Sequence, residues 1–259
     1  MTTRTRKWWT LATVGCAIFM ATIDSSIVTL ALKALQDAFH TTLGAVSWVV
    51  LAYLLAIICL VLTMGRLGDM IGKRLVYLAG LVVFTLGSAL CGLAWSIGFL
   101  IGFRLLQGIG AAMIQAVGPA LLVEAFPSDQ RGQAMGYTGV FVAAGLSDGS
   151  ALGGLLIGLV GWPAIFYLNV PLGILAITLG WWALPDDRQW SSQRFDLLGV
   201  ASLLLLTLWI IFRPPNRIAL TWQGSCLLWD MIMEESTRPR RPGKYELIRS
   251  LSSSHYEGA

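Results

Sequence analysis

Seven stretches of this chain, near residues 9–31, 45–64, 75–95, 98–122, 134–160, 163–183 and 197–212, are almost uninterruptedly apolar. Roughly 20 helical residues cross the ~30 Å hydrocarbon core of a bilayer. Six of the stretches meet that length, and the seventh is short for it. Lipid offers the backbone no hydrogen bonds, so segments of this kind must be helices that satisfy their own N–H and C=O groups. The expected fold is therefore an all-α, polytopic membrane protein. A six-span bundle occupies 1–183, a linker 184–196, a seventh apolar helix 197–212 and an atypical polar tail 213–259. Composition closes the alternatives: of 259 residues, 56% are hydrophobic and 12% charged, against about 25% charged in a soluble domain. A water-soluble enzyme, a disordered chain and a secreted disulfide scaffold are all excluded.

Charge sets orientation. With the N-terminus inside, the inner segments 1–8, 65–74, 123–133 and 184–196 hold nine Lys and Arg, and the outer loops hold one, Lys33. That asymmetry predicts a multi-pass protein of the cell (inner) membrane with a cytoplasmic N-terminus. Arg4, Arg6 and Lys7 before a long apolar run resemble the start of a signal peptide. The run is too long and has no small-residue cleavage site, so it reads as an uncleaved first helix. The basic balance carries no message about nucleic acid. Cys16, Cys59 and Cys91 lie inside apolar runs, which implies no disulfide framework. His40 and His255 find no companions for a metal site, and no cofactor is expected.

Ionisable residues inside spans are expensive, and each is a functional candidate. There are three: Asp24 in the first span, Arg104 in the fourth and Asp148 in the fifth. At 1.5 Å per helical residue, Asp24 lies about 22 Å, Asp148 about 21 Å and Arg104 about 21 Å from the inner edge. Three charges at one level predict one polar site between helices, with Gln107 one turn from Arg104 on the same face. A purely structural ion pair is the competing reading, yet a buried pair contributes little net stability. Desolvation favours the neutral carboxyl and a neighbouring guanidinium favours the carboxylate. Two carboxylates competing for one guanidinium can thus exchange a proton for a cation.

Two further patterns stand out. Gly65-Arg66-Leu67-Gly68-Asp69-Met70-Ile71-Gly72-Lys73-Arg74 reads as a loop joining the second and third spans. Its glycines permit a tight turn, and Asp69 suits a helix N-terminus. The fifth stretch carries small-xxx-small spacings at 145/149, 149/153 and 154/158, which predict close approach to neighbouring helices.

The 65–74 pattern resembles the signature loop of the major facilitator superfamily. Asp24-Ser25-Ser26-Ile27-Val28 with Ala31-Leu32 resembles the first-span motif of its fourteen-span drug:proton antiporter family. Arg104-Leu105-Leu106-Gln107-Gly108-Ile109-Gly110 is similar to the fourth-span motif, whose arginine is implicated in proton coupling. Gly145, Gly149, Ser150, Gly153 and Gly154 fall in a segment similar to the fifth-span antiporter motif. Phe166-Tyr167-Leu168-Asn169-Val170-Pro171-Leu172-Gly173 matches the usual start of the sixth span. The likeness covers about residues 8–210.

The resemblance implies inverted three-helix repeats, here 9–95 and 98–183. It also implies proton-coupled efflux of lipophilic or cationic small molecules. Asp24, Arg104 and Gln107 would carry coupling and Asp148 an added cation-attracting charge. Gly65, Asp69, Gly72, Lys73 and Arg74 would gate the cytoplasmic side.

Three departures qualify it. Ser150 stands where the family has a kinking proline, so the family's leak barrier there is not implied. Pro163-Ala164 replace the usual Arg-Trp. The family continues through two linking spans and a second six-helix bundle, whereas this chain holds one such span and an unrelated-looking tail. Three readings follow: a transporter half that pairs with itself or a separate second half, a non-transporting membrane subunit, or a truncated or frameshifted product with the tail out of frame. The sequence favours the third for this polypeptide, with transport as the family-level function. No nucleophile, base and metal-ligand set converges, so no enzyme is expected.

Overall fold

A computed structural model describes residues 3–184, with side chains from residue 6 onward. The linker 184–196 beyond its first residue, the seventh helix 197–212 and the tail 213–259 lie outside the described residues. The described chain is helical throughout. Its helices are α1 (Thr3–Ala38), α2 (Leu43–Ile71), α3 (Lys73–Gly92), α4 (Ile97–Ala125), α5 (Arg131–Leu159), α6 (Pro163–Tyr167) and α7 (Asn169–Ala183), with a 3-10 turn at Ser128–Gln130 before α5. Six segments are long and apolar enough to span a membrane, α6 and α7 together forming the sixth, Pro163–Ala183. The interruption after Tyr167 falls where Pro171 withdraws the N–H that would bond that residue's carbonyl.

The helices overrun the apolar stretches. α1 has 36 residues, about 54 Å at 1.5 Å each, so it projects well beyond the hydrocarbon. The largest correction concerns residues 65–74. They are not a loop: α2 continues to Ile71 and α3 begins at Lys73, with Gly72 as the whole connection at φ 104°. Glycine reaches that conformation without strain, so one residue reverses the chain. Glycines and charges read as a turn in sequence; here they are helical turns carried past the apolar stretch. Asp69 accordingly sits in the last turn of α2, paired with Lys73 across Gly72 at 3.8 Å, rather than at a helix start.

Packing is organised in pairs. α4 packs most extensively on α3 and α2, and α1 on α5, with α1 and α3 also touching α7. Exchanging the first three spans for the second three converts α1/α5 into α4/α2, and α1/α7 into α4/α3. Two apolar layers fill the interior. One is built around Met20, Tyr77, Phe84, Ala111 and Leu122, the other around Ile27, Val46, Cys91, Leu100 and Phe166. At the end bearing the N-terminus, polar contacts tie together the start of α1, the α2–α3 and α4–α5 connections and the end of α7. Lys73 pairs with Glu124, Arg74 donates to the Trp181 carbonyl at 2.7 Å, and Lys7 donates to Gln130 at 2.5 Å. Trp8, Trp181 and Trp182 are exposed at that end and Trp95 at the other, as aromatic belts at two membrane interfaces would be.

Backbones approach closely where glycine allows it. A Cβ on Gly110 would lie 2.7 Å from the Gly80 carbonyl and 2.8 Å from Phe84 Cα; one on Gly102 would meet nothing within 4 Å. Gly110→Ala is therefore expected to destabilise the bundle by about 1–3 kcal/mol, seen as a lower unfolding midpoint in detergent. Gly102→Ala should leave that midpoint unchanged or slightly raised, because alanine is the better helix former.

Candidate functional site

Between the two apolar layers lies a polar cluster drawn from four spans. Asp24 on α1 and Arg104 on α4 form an ion pair, Nη1 to Oδ2 2.7 Å, with both side chains essentially inaccessible. The guanidinium also donates to Gln107 Oε1 at 2.7 Å and, through Nε, to the Val49 carbonyl at 3.2 Å. The second carboxylate oxygen, Oδ1, accepts from Gln107 Nε2 at 3.0 Å and from Asn169 Nδ2 at 2.8 Å. Asn169 also donates to Ser88 Oγ at 3.0 Å, and Ser88 donates to the Phe166 carbonyl at 2.9 Å. Isolated buried charges are tolerated only when paired and hydrogen-bonded, and every oxygen of Asp24 is met by a donor.

Local sequence explains the placement. Arg104 and Gln107 are three apart and share a face of α4. Gly108 and Gly110 follow them, and each lets α4 close on a neighbour. A Cβ on Gly108 would meet the Tyr53 carbonyl at 2.8 Å, so α2 comes near enough for the Tyr53 ring to lie under the guanidinium, 4.4 Å from its centroid. On α3, Gly87 faces the Gln107 backbone, at 2.9 Å from a notional Cβ, which brings Ser88 into reach. The Phe166 ring stands 5.7 Å from Arg104 on another side, an arrangement in which aromatic faces attract the cation.

Beside the cluster lies a cleft of about 460 Å³ between α1, α2, α4 and α5. Its wall is mainly apolar, with Thr22, Ser25, Gln115 and Thr138 as polar points, and it includes Tyr53. Tyr53 thus belongs both to the cleft and to the aromatic support of Arg104. Pro119, also in the wall, deprives the Gln115 carbonyl of its helical partner. None of the lining residues is charged.

The sequence candidates divide accordingly. Asp24, Arg104 and Gln107 are brought together, at the common level the residue count gives. Asp148 is not among them. It is exposed on α5, although its neighbour Gly149 packs against Ser26 and Ile23 beside Asp24. The depth is therefore shared, but one residue is about 100° of helical rotation, which turns Asp148 away from the cluster.

The glycine motif needs the same correction. Gly145, Gly149 and Gly153 form a stripe against Thr22, Ser26 and Ile27, whereas Gly154 and Gly158 face open space. Ser150 is exposed and bonds its own helix, at the Ser147 carbonyl. Of the segment 65–74, Gly68 packs on Val117, and Asp69, Lys73 and Arg74 enter the polar contacts at the N-terminal end. Gly65 has Ala116 at ordinary contact distance. Sequence reasoning missed Asn169, Ser88 and Tyr53. Asn169 had a readable signal, being an amide inside a span where polar groups need partners; a serine or tyrosine in a span has none.

Comparison with known proteins agrees with this architecture. The family model described as Major Facilitator Superfamily matches residues 14–233. The riboflavin transporter RibZ of Clostridioides difficile is 36% identical over 198 residues, 75% of this chain and 43% of its own length. The tetracenomycin C resistance and export protein of Streptomyces glaucescens is 36% identical over 216 residues, covering 82% and 40%. The multidrug resistance protein Stp of Mycobacterium tuberculosis is 37% identical over 224 residues, covering 85% and 42%. The chain thus spans less than half the length of these curated relatives, which are transporters and not enzymes. Among solved structures, a bacterial homologue of the human lysosomal transporter Spinster, inward-facing and unoccupied, superposes with TM-score 0.64 at 18% identity, covering 74% of this chain and 46% of that one. The POT family transporter PepTSo gives 0.65 at 16%, covering 73% and 40%. With six matching spans and a family model covering most of its length, this chain belongs to the Major Facilitator Superfamily.

Proposed function

We propose that this chain is the N-terminal bundle of a proton-coupled exporter of lipophilic small molecules, of the fourteen-span drug:proton antiporter kind. The observation that carries the reading is the buried Asp24–Arg104 pair beside an uncharged cleft, with Tyr53 common to both. In the ionised state Arg104 is held by Asp24, Gln107 and the Val49 carbonyl. A proton on Asp24 cancels the attraction that fixes α1 to α4 at this level, and the released guanidinium bears on Tyr53 in the cleft wall. Proton occupancy and cleft shape are thereby tied, as exchange of a proton for a substrate requires.

The wall's composition favours lipophilic over cationic cargo, since no lining residue carries a charge to attract a cation. Exposed Asp148 is available to such an attraction elsewhere, where a second bundle completes the pathway. The charge of the loops supports an N-terminus in the cytoplasm, and in that orientation the contacts of Lys73, Arg74 and Asp69 would be the cytoplasmic gate. The named relatives export tetracenomycin C, confer multidrug resistance or transport riboflavin, which supports small-molecule transport as the shared activity. A second reading, a half that assembles with another bundle or itself, is favoured by α5. Its Gly154 and Gly158 are of the small-residue kind that lets helices pack closely, and here they meet no neighbour. The truncation and frameshift reading rests on residues outside the described ones.

Two outcomes test the assignment. In proteoliposomes holding this chain, a lipophilic dye should stimulate proton flux, and Asp24→Asn should abolish the stimulation; flux unchanged by that substitution would remove Asp24 from the mechanism. Flux with this chain alone would mean that it pairs with itself, since alternating access rocks two bundles against each other; a dye that stimulates none would remove self-pairing and leave a separate second bundle as the partner. Stability gives the second outcome. Asp24→Asn alone strands a buried cation and is expected to cost about 3–5 kcal/mol, measured by unfolding in mixed micelles. Adding Arg104→Met should recover part of that loss, because the double variant buries no unpaired charge.

A further inference from the structure

Pro119 stands inside α4, well short of either end, and lines the cleft together with Gln115, one turn earlier. In an α-helix the Gln115 carbonyl points along the axis and accepts from the N–H of residue 119. Proline has no N–H, and its ring crowds that same carbonyl and pushes it outward. Gln115 and Pro119 are both exposed and both in the cleft wall. The carbonyl between them therefore lies on the stripe of α4 that faces the cleft.

In a membrane span such a carbonyl is commonly re-satisfied by a nearby serine or threonine hydroxyl. The threonines of this cleft are used otherwise. Thr22 donates to the Ile18 carbonyl and Thr138 to the Met135 carbonyl, each at 2.6 Å and each within its own helix. A hydroxyl whose proton is spent in this way offers only oxygen lone pairs to what lies in front of it. Gln115 Nε2, Ser25 and Tyr53 can still donate, but all three are side chains that turn. The Gln115 carbonyl is different: it is backbone, fixed in place, and able only to accept. The rest of the wall, with Ile18, Ile57 and Val142, suits an apolar body. A molecule that fills this cleft and displaces water from the carbonyl must supply a donor in its place, or leave a desolvated acceptor unpaired. Sites built to hydrogen-bond a ligand group reject the analogue lacking it for that reason.

We propose that Pro119 is a specificity-determining residue: by withholding an N–H it keeps the Gln115 carbonyl open as a fixed acceptor, which selects neutral lipophiles bearing a hydroxyl or amide N–H. The inference rests on the reading of the cleft as the place where lipophilic cargo is held, and it narrows the class of that cargo. A proline that serves only to bend α4 would alter the fit of any ligand and would not distinguish a donor from its absence.

The test uses two probes that differ in one donor, naphthol and its methyl ether, both uncharged in mildly acidic buffer. Binding to the full chain in nanodiscs is measured by equilibrium dialysis, with uptake by empty nanodiscs subtracted. The expected result is that naphthol binds about three- to tenfold more tightly than the ether. Pro119→Ala supplies the missing N–H and is the better helix former, so it should raise the unfolding midpoint while bringing the two affinities together. Gln115→Leu removes the side-chain amide but keeps the backbone carbonyl, and should preserve the preference for naphthol. A preference that survives Pro119→Ala, or one that is lost in Gln115→Leu, would overturn the assignment to the carbonyl. Equal binding of both probes by the unaltered chain would overturn it too, leaving the cleft as a cargo site. Binding of neither would overturn both readings.

Discussion

One buried ion pair organises this bundle. Asp24 and Arg104 sit where the two apolar layers meet, and four other segments gather round them in one polar network, α5 alone meeting that level with glycine and no polar group. α4 gives Gln107, α2 the Val49 carbonyl and the Tyr53 ring, α3 Ser88, and α7 Asn169. In hydrocarbon neither charge is affordable without the other. The glycines that flank the site follow from the same demand. Gly87, Gly108 and Gly110 bring α2, α3 and α4 close enough for short side chains and carbonyls to reach the charges. A site of this kind is weak as a source of stability, since desolvation offsets most of the attraction. Under the proposed proton coupling, the pair is a means of making helix packing depend on a proton.

That dependence has a route to the cleft. Tyr53 lies against the guanidinium and also forms part of the cleft wall, while Asn169 and Ser88 lead in the other direction, to the break in the sixth span. The Asp24 carboxylate is thus linked by contacts to two places at once, the cleft wall and the end of α6. The apolar, uncharged wall complements this, because a cleft without fixed charge can change shape when the neighbouring pair relaxes without stranding an ion of its own.

Much of this was legible in the sequence, for identifiable reasons. Charges in apolar runs are so costly that Asp24 and Arg104 announce themselves, and a fixed rise per residue gives their common depth. Azimuth is harder. α5 is glycine-rich and apolar all round, so nothing in its pattern says which face meets α1, and Asp148 was assigned to the cluster by depth alone. The stripe Gly145, Gly149 and Gly153 shows the true face, but the competing pair Gly154 and Gly158 has the same spacing. Residues 65–74 misled in a different way. Helix propensity and membrane burial end at different points, and a charged, glycine-containing segment reads as a turn although a single residue, Gly72, performs it. Asn169 was in view as part of a motif, yet its role depends on a contact between α1 and α7 that no local pattern encodes.

The central claim is that the proton on Asp24 governs how α1 meets α4. It is tested most directly by the distance between spin labels at exposed Leu30 on α1 and Phe99 on α4, in a background without native cysteines. The account predicts a distance distribution that shifts as pH is lowered, and an Asp24→Asn protein fixed in the low-pH distribution at every pH. A distribution that ignores pH, or an Asp24→Asn protein that retains the high-pH distance, would contradict it.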